Sequence, residues 1–332
     1  MELFRPRPIS NGMKQKESLR IVFWGNPEFA VPTLEALAKI KSVSLLAVTN
    51  PDKPVGRSQD LTPTPIKTLA TKLGIAILEP ANLKEPDIAQ KLKDFHPDIF
   101  IVAAYGKIIP ANILSIPQLG ALNIHPSLLP LYRGPTPIEH AIANGDSQTG
   151  VSIILLDEEM DHGPIVARES APIETDDDRI TLSRRLANDG ARLLMKILPQ
   201  WTSRELEALP QDDTHASYTK RFERDEGRIF WNIPAAVIER RVRAFLGWPD
   251  SYALWQRNND ILRLKIEKAH VVLGSAAERS YGATWQSADA AIAVQTTEGS
   301  LAIDVLRLEG ARSMPAEEFV NGYPDIIGTE LL

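Results

Sequence analysis

Residues 98–103 read DIFIVA, an unbroken apolar run of the kind found in strands that are buried on both faces of a sheet. Similar runs occur elsewhere in the first half of the chain, at Arg20–Trp24, Val43–Thr49 and Leu119–Ile124. Segments with helical spacing, such as Asp87–Phe95, lie between them. This alternation predicts an α/β domain of Rossmann-like type, with a mostly parallel sheet covered by helices.

The next part of the chain extends this pattern and then changes character. Gly150–Asp157 and Gly163–Ala171 are predicted to add strands, and Thr181–Leu198 has the spacing of an amphipathic helix. Beyond it, short β-like segments with turn residues predict a smaller C-terminal β-barrel, most similar to the OB type. We therefore predict four regions: a flexible arm (1–18), a catalytic domain (19–200), a linker (201–218) and an OB-like domain (219–332).

Composition excludes several classes of protein. The 332 residues contain 43% hydrophobic and 24% charged residues, which is typical of a globular protein. The chain has no cysteine, which excludes disulfides, thiolate metal sites and a cysteine nucleophile. The net charge is −6 and neither half is basic, so binding of nucleic acid would require a local patch. No apolar run reaches about 18 residues, so we expect no membrane span and a cytoplasmic location.

The segment 120–164 has the highest density of residues suited to chemistry. Asn123 and His125 stand two residues apart at the end of an apolar run, so in a strand they share one face. Open α/β sheets bind ligands at the carboxyl ends of their strands. Histidine can transfer protons near neutral pH, an amide can donate to a developing oxyanion, and a carboxylate such as Asp161 can orient the imidazole. Together they form a set for acyl transfer by direct attack of the acceptor.

Two other interpretations of these residues remain open. An isolated N-x-H pair is also typical of a turn that satisfies its own hydrogen bonds. His125, His140 and His162 together with nearby acids are conceivable zinc ligands, but the chain has no H-E-x-x-H motif and its six histidines are scattered. We therefore predict no metal. The turn Gly25-Asn26-Pro27-Glu28 lacks the G-x-G-x-x-G spacing, although a plain turn before a helix can also hold an anion.

These motifs resemble the 10-formyltetrahydrofolate-dependent formyltransferases. The resemblance rests on Asn123 and His125, the run SLLP at 127–130, Arg133-Gly134 and Asp161-x-Gly163. It extends over about residues 19–310. FWGNPEF at 23–29, the loop at 51–57, YTKRFERDEGRIFW at 218–231 and VRAFLGWP at 242–249 are similar to the branch of the family that acts on methionyl-tRNA.

The resemblance implies a function and a role for each matched residue. The expected reaction moves the formyl group of the co-substrate 10-formyltetrahydrofolate to the α-amine of initiator methionyl-tRNA. Asn123 and His125 would stabilise the oxyanion, and Asp161 would set the protonation of His125. Ser127, Leu128, Leu129 and Pro130 would contribute to the folate pocket.

The resemblance also implies a tRNA contact at Arg57, in the loop 51–65. Here Ser58-Gln59-Asp60 follow that arginine, where the family often has further lysines. The alternative acceptor is an amino sugar or sugar nucleotide, which relatives with the same catalytic set use. Basic residues at 220–228 and 240–243 are interleaved with acids and suit either a tRNA-facing surface or an ordinary solvated helix. Nothing in the sequence requires more than a monomer.

Overall fold

The computed structural model describes residues 18–55, 59–272, 279–287 and 289–332. The chain divides into two compact units. The first contains the described residues up to Pro137 together with Gln148–Pro172 and Ser183–Thr219. The second contains Ile138–Ser147, Ile173–Leu182 and Lys220–Leu332.

The first unit contains a seven-stranded sheet and a two-stranded ribbon. The strands in chain order are β1 (Leu19–Gly25), β2 (Val43–Val48), β3 (Lys53–Val55), β4 (Asp60–Thr62), β5 (Ala76–Leu78), β6 (Ile99–Ala103), β7 (Ala121–His125), β8 (Gln148–Leu155) and β9 (Ile165–Pro172). The large sheet has the order β5-β2-β1-β6-β7-β8-β9. Its first five strands are parallel, and β8 and β9 are antiparallel. The predicted α/β fold is confirmed.

Six α-helices lie in the described residues between 18 and 202. They are α1 (Val31–Ala38), α2 (Pro65–Leu73), α3 (Pro86–Asp94), α4 (Ala111–Leu114), α5 (Pro137–Asn144) and α6 (Arg179–Thr202). Helix α2 shows why its sequence is helical: the Thr64 hydroxyl accepts from the Lys67 N–H, Pro65 occupies the first turn, and Gly74 ends the helix with φ 69°.

Alternation along the strands places one face of the sheet against α3 and α4. Val22 and Trp24 of β1 pack there with Phe100 and Val102 of β6. On the opposite face α6 approaches β7 closely, since a Cβ on Gly190 would lie 2.5 Å from Ile124. Asn123 and His125 alternate with Ile124 along β7, so their side chains lie on the same face of the sheet as that of Ala121, away from α6.

The loop predicted at 51–65 is not wholly irregular. Lys53–Val55 and Asp60–Thr62 pair as the antiparallel ribbon of β3 and β4. The sequence did not indicate these strands because Pro54 lies inside one of them, and proline is tolerated only in an edge strand. Leu61, at the ribbon, is 69% exposed.

The second unit, which also includes most of α5 and the first residues of α6, is built around an antiparallel β sheet. Its other elements are α7 (Ala235–Phe245), β10 (Ser251–Arg257), β11 (Asp260–Val272), β12 (Thr284–Ser287), β13 (Ala290–Gln295), β14 (Ser300–Leu308), β15 (Met314–Pro315) and α8 (Ala316–Gly322). The strand order is β10-β11-β14-β13-β12, with β15 on β14. Its core includes Trp255, Leu264 and Phe319.

The last four residues connect the two edges of this sheet. Leu332 and Leu254 of β10 exchange backbone hydrogen bonds of 2.7 and 3.0 Å. Thr284 of β12 donates its N–H to the carbonyl of Thr329, and Leu331 donates to Gly282. The sheet therefore closes into a barrel through its own C-terminal segment.

The boundaries of the two units differ from those predicted at 200 and 219. Residues 138–147 and 173–182 belong to the second unit because side chains of α7 hold them. Arg240 donates to the carbonyl of Ala143, and Arg243 donates to that of Asp177 at 2.6 Å. Residues 201–218, predicted as a linker, bond to the first unit, where Leu209 pairs with Ile165. These hydrogen bonds join residues that are far apart in the chain, so the sequence pattern did not predict them. The predicted arm falls almost entirely on residues 1–17, outside the described residues.

No helix in the described part of the chain combines the length and apolar character needed to cross a membrane.

Candidate active site

The site begins at the carboxyl end of β7, where two polar side chains follow each other on one face. Asn123 is half-buried and His125 is 4% exposed. Parallel pairing of β7 with β6 and antiparallel pairing with β8 fix the backbone of both residues. The sheet therefore presents an amide and an imidazole from a rigid position.

Asp161 brings a carboxylate to this pair from the loop between β8 and β9. Its Oδ1 lies 3.4 Å from Nδ2 of Asn123 and 3.6 Å from Nδ1 of His125. Its Oδ2 accepts a 2.8 Å hydrogen bond from the backbone N–H of Gly134. The Asp161 side chain is 15% exposed, so solvent reaches the group. The three predicted catalytic residues are thus brought together.

The orientation of the imidazole follows from its second contact. Nε2 of His125 lies 2.9 Å from the carbonyl oxygen of Tyr132, which can only accept, so Nε2 carries a hydrogen. Nδ1 of the same ring faces Oδ1 of Asp161, so the ring is held between a backbone carbonyl and a carboxylate.

Gly134 makes the contact to Asp161 possible. Its φ is +116°, and a Cβ there would lie 2.6 Å from the carbonyl oxygen of Thr219. A side chain would clash with backbone that cannot move aside, so only glycine lets this N–H face the carboxylate.

The segment predicted to line a folate pocket, Ser127–Pro130, is only partly accessible. Ser127 and Leu129 are fully buried. Ser127 donates to the carbonyl of Leu131 at 2.6 Å, and the N–H of Leu129 donates to Ser152. Leu128 and Pro130 are half-buried. Within this segment only Leu128 and Pro130 can contact a ligand through their side chains. Ser127 and Leu129 instead support the loop.

Sequence reasoning gave no role to two residues that reinforce the site. Arg133, 1% exposed, donates from Nε and Nη2 to Oε1 of Gln211. Gln211 in turn donates from Nε2 to the carbonyls of Asp161 and Gly163. Arg133 was quoted as part of a motif, but Gln211 stands 50 residues beyond Asp161 and carries no local signal.

His162, next to Asp161, pairs with a different acid. Its Nδ1 donates to Oδ2 of Asp157 at 2.7 Å. This hydrogen bond raises the pKa of the His162 imidazole, and the charges of Glu159 and Asp213 act in the same direction. His162 is thus occupied outside the Asn123–His125–Asp161 set.

The turn after β1 is held by Asn26. Its side-chain oxygen accepts from Thr49 at 2.9 Å and from the Asn50 N–H at 2.7 Å, and its amide donates to the carbonyl of Tyr105. Asn26 thus joins the carboxyl ends of β1, β2 and β6. The anion site suggested at this turn stays a prediction.

Two further predictions concern Arg57 and the binding of a metal ion. Arg57 lies outside the described residues. In the described ranges, no three histidine, aspartate or glutamate side chains are grouped closely enough to hold a metal ion.

The matching family models and the relatives compared with this chain are all formyl transferases. A model described as formyl transferase matches residues 19–198, and one described as formyl transferase, C-terminal domain, matches residues 221–324. The chain is 40% identical over 297 residues to the methionyl-tRNA formyltransferase of Chloroflexus aggregans, covering 90% of this chain and 94% of that protein. It is 41% identical over 305 residues to that of Roseiflexus sp. strain RS-1, covering 92% of each.

Solved structures resemble the fold at lower identity. An N-formyltransferase from Helicobacter canadensis, in complex with folinic acid and dTDP-3-aminofucose, is 18% identical with a TM-score of 0.62, covering 86% of this chain and 99% of that one. HypX from Aquifex aeolicus with tetrahydrofolic acid is 15% identical with a TM-score of 0.61, covering 93% of this chain and 48% of that one. These likenesses show the shared fold.

Proposed function

This chain belongs to the formyl transferase family, and from that premise we propose that it formylates methionyl-tRNA. The formyl group of 10-formyltetrahydrofolate moves to the α-amine of methionine on the initiator tRNA, which yields N-formylmethionyl-tRNA for translation initiation. The observation that carries the proposal is the convergence of Asn123 and His125 on Oδ1 of Asp161, in a chain about 40% identical to enzymes of that name over nine-tenths of its length.

Asn123 is suited to stabilise charge on the formyl oxygen. A side-chain amide has two N–H donors, and one of those on Nδ2 points towards Asp161. The other is available to a substrate oxygen, on which negative charge grows as the amine adds. Preorganised donors of this type contribute about 3–4 kcal/mol to the transition state.

His125 and Asp161 are suited to move the proton that the reaction releases. The new bond joins the amine nitrogen to the formyl carbon, and the bond from that carbon to the folate nitrogen breaks. One proton must pass from the attacking nitrogen to the leaving nitrogen. An imidazole and a carboxylate 3.6 Å apart can accept the proton from the attacking nitrogen and deliver one to the leaving nitrogen. Tyr132 keeps the ring in place throughout.

The folate would lie against the loop 127–130. Leu128 and Pro130 supply the accessible apolar surface, while Ser127 and Leu129 keep the loop rigid from within. The pterin and its one-carbon unit fit a site whose charged groups converge beside such a surface.

The tRNA acceptor is assigned to the loop that contains Arg57. In the sequence Arg57 stands between β3 and β4, and an arginine suits a contact with a tRNA phosphate. All three catalytic side chains come from one chain, so we propose that a monomer suffices. The substrate is a charged tRNA, so we place the reaction in the cytoplasm.

A comparison of acceptors tests the proposal. The purified protein is incubated with 10-formyltetrahydrofolate and initiator methionyl-tRNA, elongator methionyl-tRNA or a dTDP-linked amino sugar. We expect rapid formylation of the initiator tRNA alone. Formylation of the amino sugar in preference to tRNA would replace the proposal with the alternative acceptor class.

Replacing Arg57 with alanine then tests the acceptor loop. We expect Arg57→Ala to raise KM for methionyl-tRNA by about tenfold and to leave KM for the folate within about twofold, because the two substrates use different surfaces. Equal changes in both constants would contradict a tRNA role for this loop.

A further inference from the structure

Gln211 is built into the site from a segment far along the chain. Its Nε2 donates to the carbonyl oxygens of Asp161 and Gly163, each at 2.8 Å. Its Oε1 accepts from Nε and Nη2 of Arg133 at 3.0 and 2.9 Å. A guanidinium only donates and a carbonyl oxygen only accepts, so this orientation of the amide is the one that satisfies all four bonds.

Arg133 gives Gln211 a rigid support. It is 1% exposed, and its Nη1 donates to the hydroxyl of Tyr218 at 3.0 Å while Nη2 donates to Asp213 at 2.7 Å. Its backbone N–H donates to the carbonyl of Ser217. A planar cation held on every side cannot follow a displaced Gln211, so the position of the amide is fixed.

The backbone that Gln211 holds is strained. Asp161 has φ +51°, in the left-handed region that favours glycine. A residue other than glycine persists in this region where its surroundings determine its conformation. Two residues later, a Cβ on Gly163 would lie 1.9 Å from the carbonyl oxygen of Leu155, so this loop also passes close to β8.

We infer that Gln211 is a positioning residue for the Asp161 carboxylate. The inference rests on the proposed function, and it concerns the backbone behind the reacting groups. By holding the carbonyls of 161 and 163, Gln211 keeps the left-handed turn that aims Oδ1 between Asn123 and His125. Displacement of a reacting group by about 1 Å can lower the rate on the order of a hundredfold.

Gln211→Glu is the sharpest single substitution. The carboxylate keeps an acceptor for Arg133 but replaces the donating nitrogen with an oxygen that faces two carbonyl oxygens. We expect kcat to fall about ten- to a hundredfold, with KM for both substrates within about twofold, because binding surfaces are untouched. The matched control is Gln200→Glu, the same chemical change at an exposed position of α6, which should leave kcat unchanged.

A double-mutant cycle distinguishes positioning from a general structural role. In an Asp161→Asn background, Gln211→Glu should lower kcat by less than about twofold further, since the carboxylate it positions is already gone. Full turnover of Gln211→Glu, or an equal loss in both backgrounds, would overturn the inference. If Gln211→Glu does not fold, Gln211→Met, of similar size but without donors, replaces it in the same cycle.

Failure of the proposed function produces a different result. In that case the wild-type protein formylates none of the acceptors, or Asp161→Asn turns over at the wild-type rate. An inactive Asp161→Asn together with a fully active Gln211→Glu would leave the proposed function standing and remove only the role of Gln211.

Discussion

Two regions of the chain bury polar side chains to the same degree and use them differently. At the end of β7, His125 is 4% exposed and faces a carboxylate, an amide and a carbonyl that come from separate segments. In the barrel, Thr284 is 3% exposed and bonds only to the backbone of residues 326 and 329. Burial alone does not identify a site; the chemistry of the partners does. At β7 three segments bring together groups able to transfer a proton or donate to an oxyanion, whereas the Thr284 hydroxyl bonds only to backbone.

The largest expected effect tests the catalytic side of this contrast. His125→Ala removes the imidazole that faces Asp161. We expect kcat to fall about 10²- to 10³-fold, the magnitude associated with loss of a preorganised polar group. Steady-state formyl transfer measures it, with circular dichroism as the check on folding. Turnover within about tenfold of the wild type would contradict the assignment.

The next effect concerns the barrel core. Leu264 of β11 is fully buried, so Leu264→Ala should lower the free energy of unfolding by about 2–5 kcal/mol. Urea denaturation measures this loss. The control lies on the same strand: Ile261 is 61% exposed, and Ile261→Ala should cost less than about 0.5 kcal/mol. Equal costs at the two positions would contradict the assigned core.

A smaller effect tests the role of the buried hydroxyl. Thr284→Val keeps the shape but removes a donor to the carbonyl of Thr329 and an acceptor for its N–H. We expect a loss of about 1–3 kcal/mol in unfolding free energy and unchanged kcat. Exposed Thr297 provides the matched control, and a similar loss for Thr297→Val would remove the explanation.

The smallest effect depends on pH and involves His162. Its hydrogen bond to Asp157 raises the pKa of the folded-state imidazole, so protonation favours folding. This stabilisation is fully present below the ordinary value of 6.5 and is lost as pH rises through the raised pKa. The Tm difference between wild type and His162→Asn should therefore be larger at about pH 5.5 than at about pH 8.5. Asp157→Asn should reduce that pH dependence to the smaller part due to Glu159 and Asp213; an undiminished dependence would contradict the role of Asp157.

The sequence sufficed where the signal was local. The alternation in β7 placed Asn123 and His125 on one face, and the apolar runs predicted most strands of the first unit and a mostly parallel sheet. These features depend on neighbours within a few residues, which a single sequence displays.

Other features depend on partners that are distant in the chain. Gln211 meets the carbonyl of Asp161 across 50 residues, and Arg133 meets Gln211 across 78. The segment around Gln211 is polar and contains Pro210, a pattern that predicts a linker, yet its side chains and backbone bond to the first unit. The ribbon of β3 and β4 was missed for a local reason. Residues typical of turns lie in and between its two short strands, so the sequence pattern predicted a loop.

The closing role of residues 329–332 has a consequence for biosynthesis. Both edges of the barrel receive their last hydrogen bonds from these residues, which leave the ribosome after the rest of the barrel. Until then the nascent chain presents two open strand edges, the surfaces on which β proteins aggregate. The barrel therefore completes its closure only after residues 329–332 have left the ribosome.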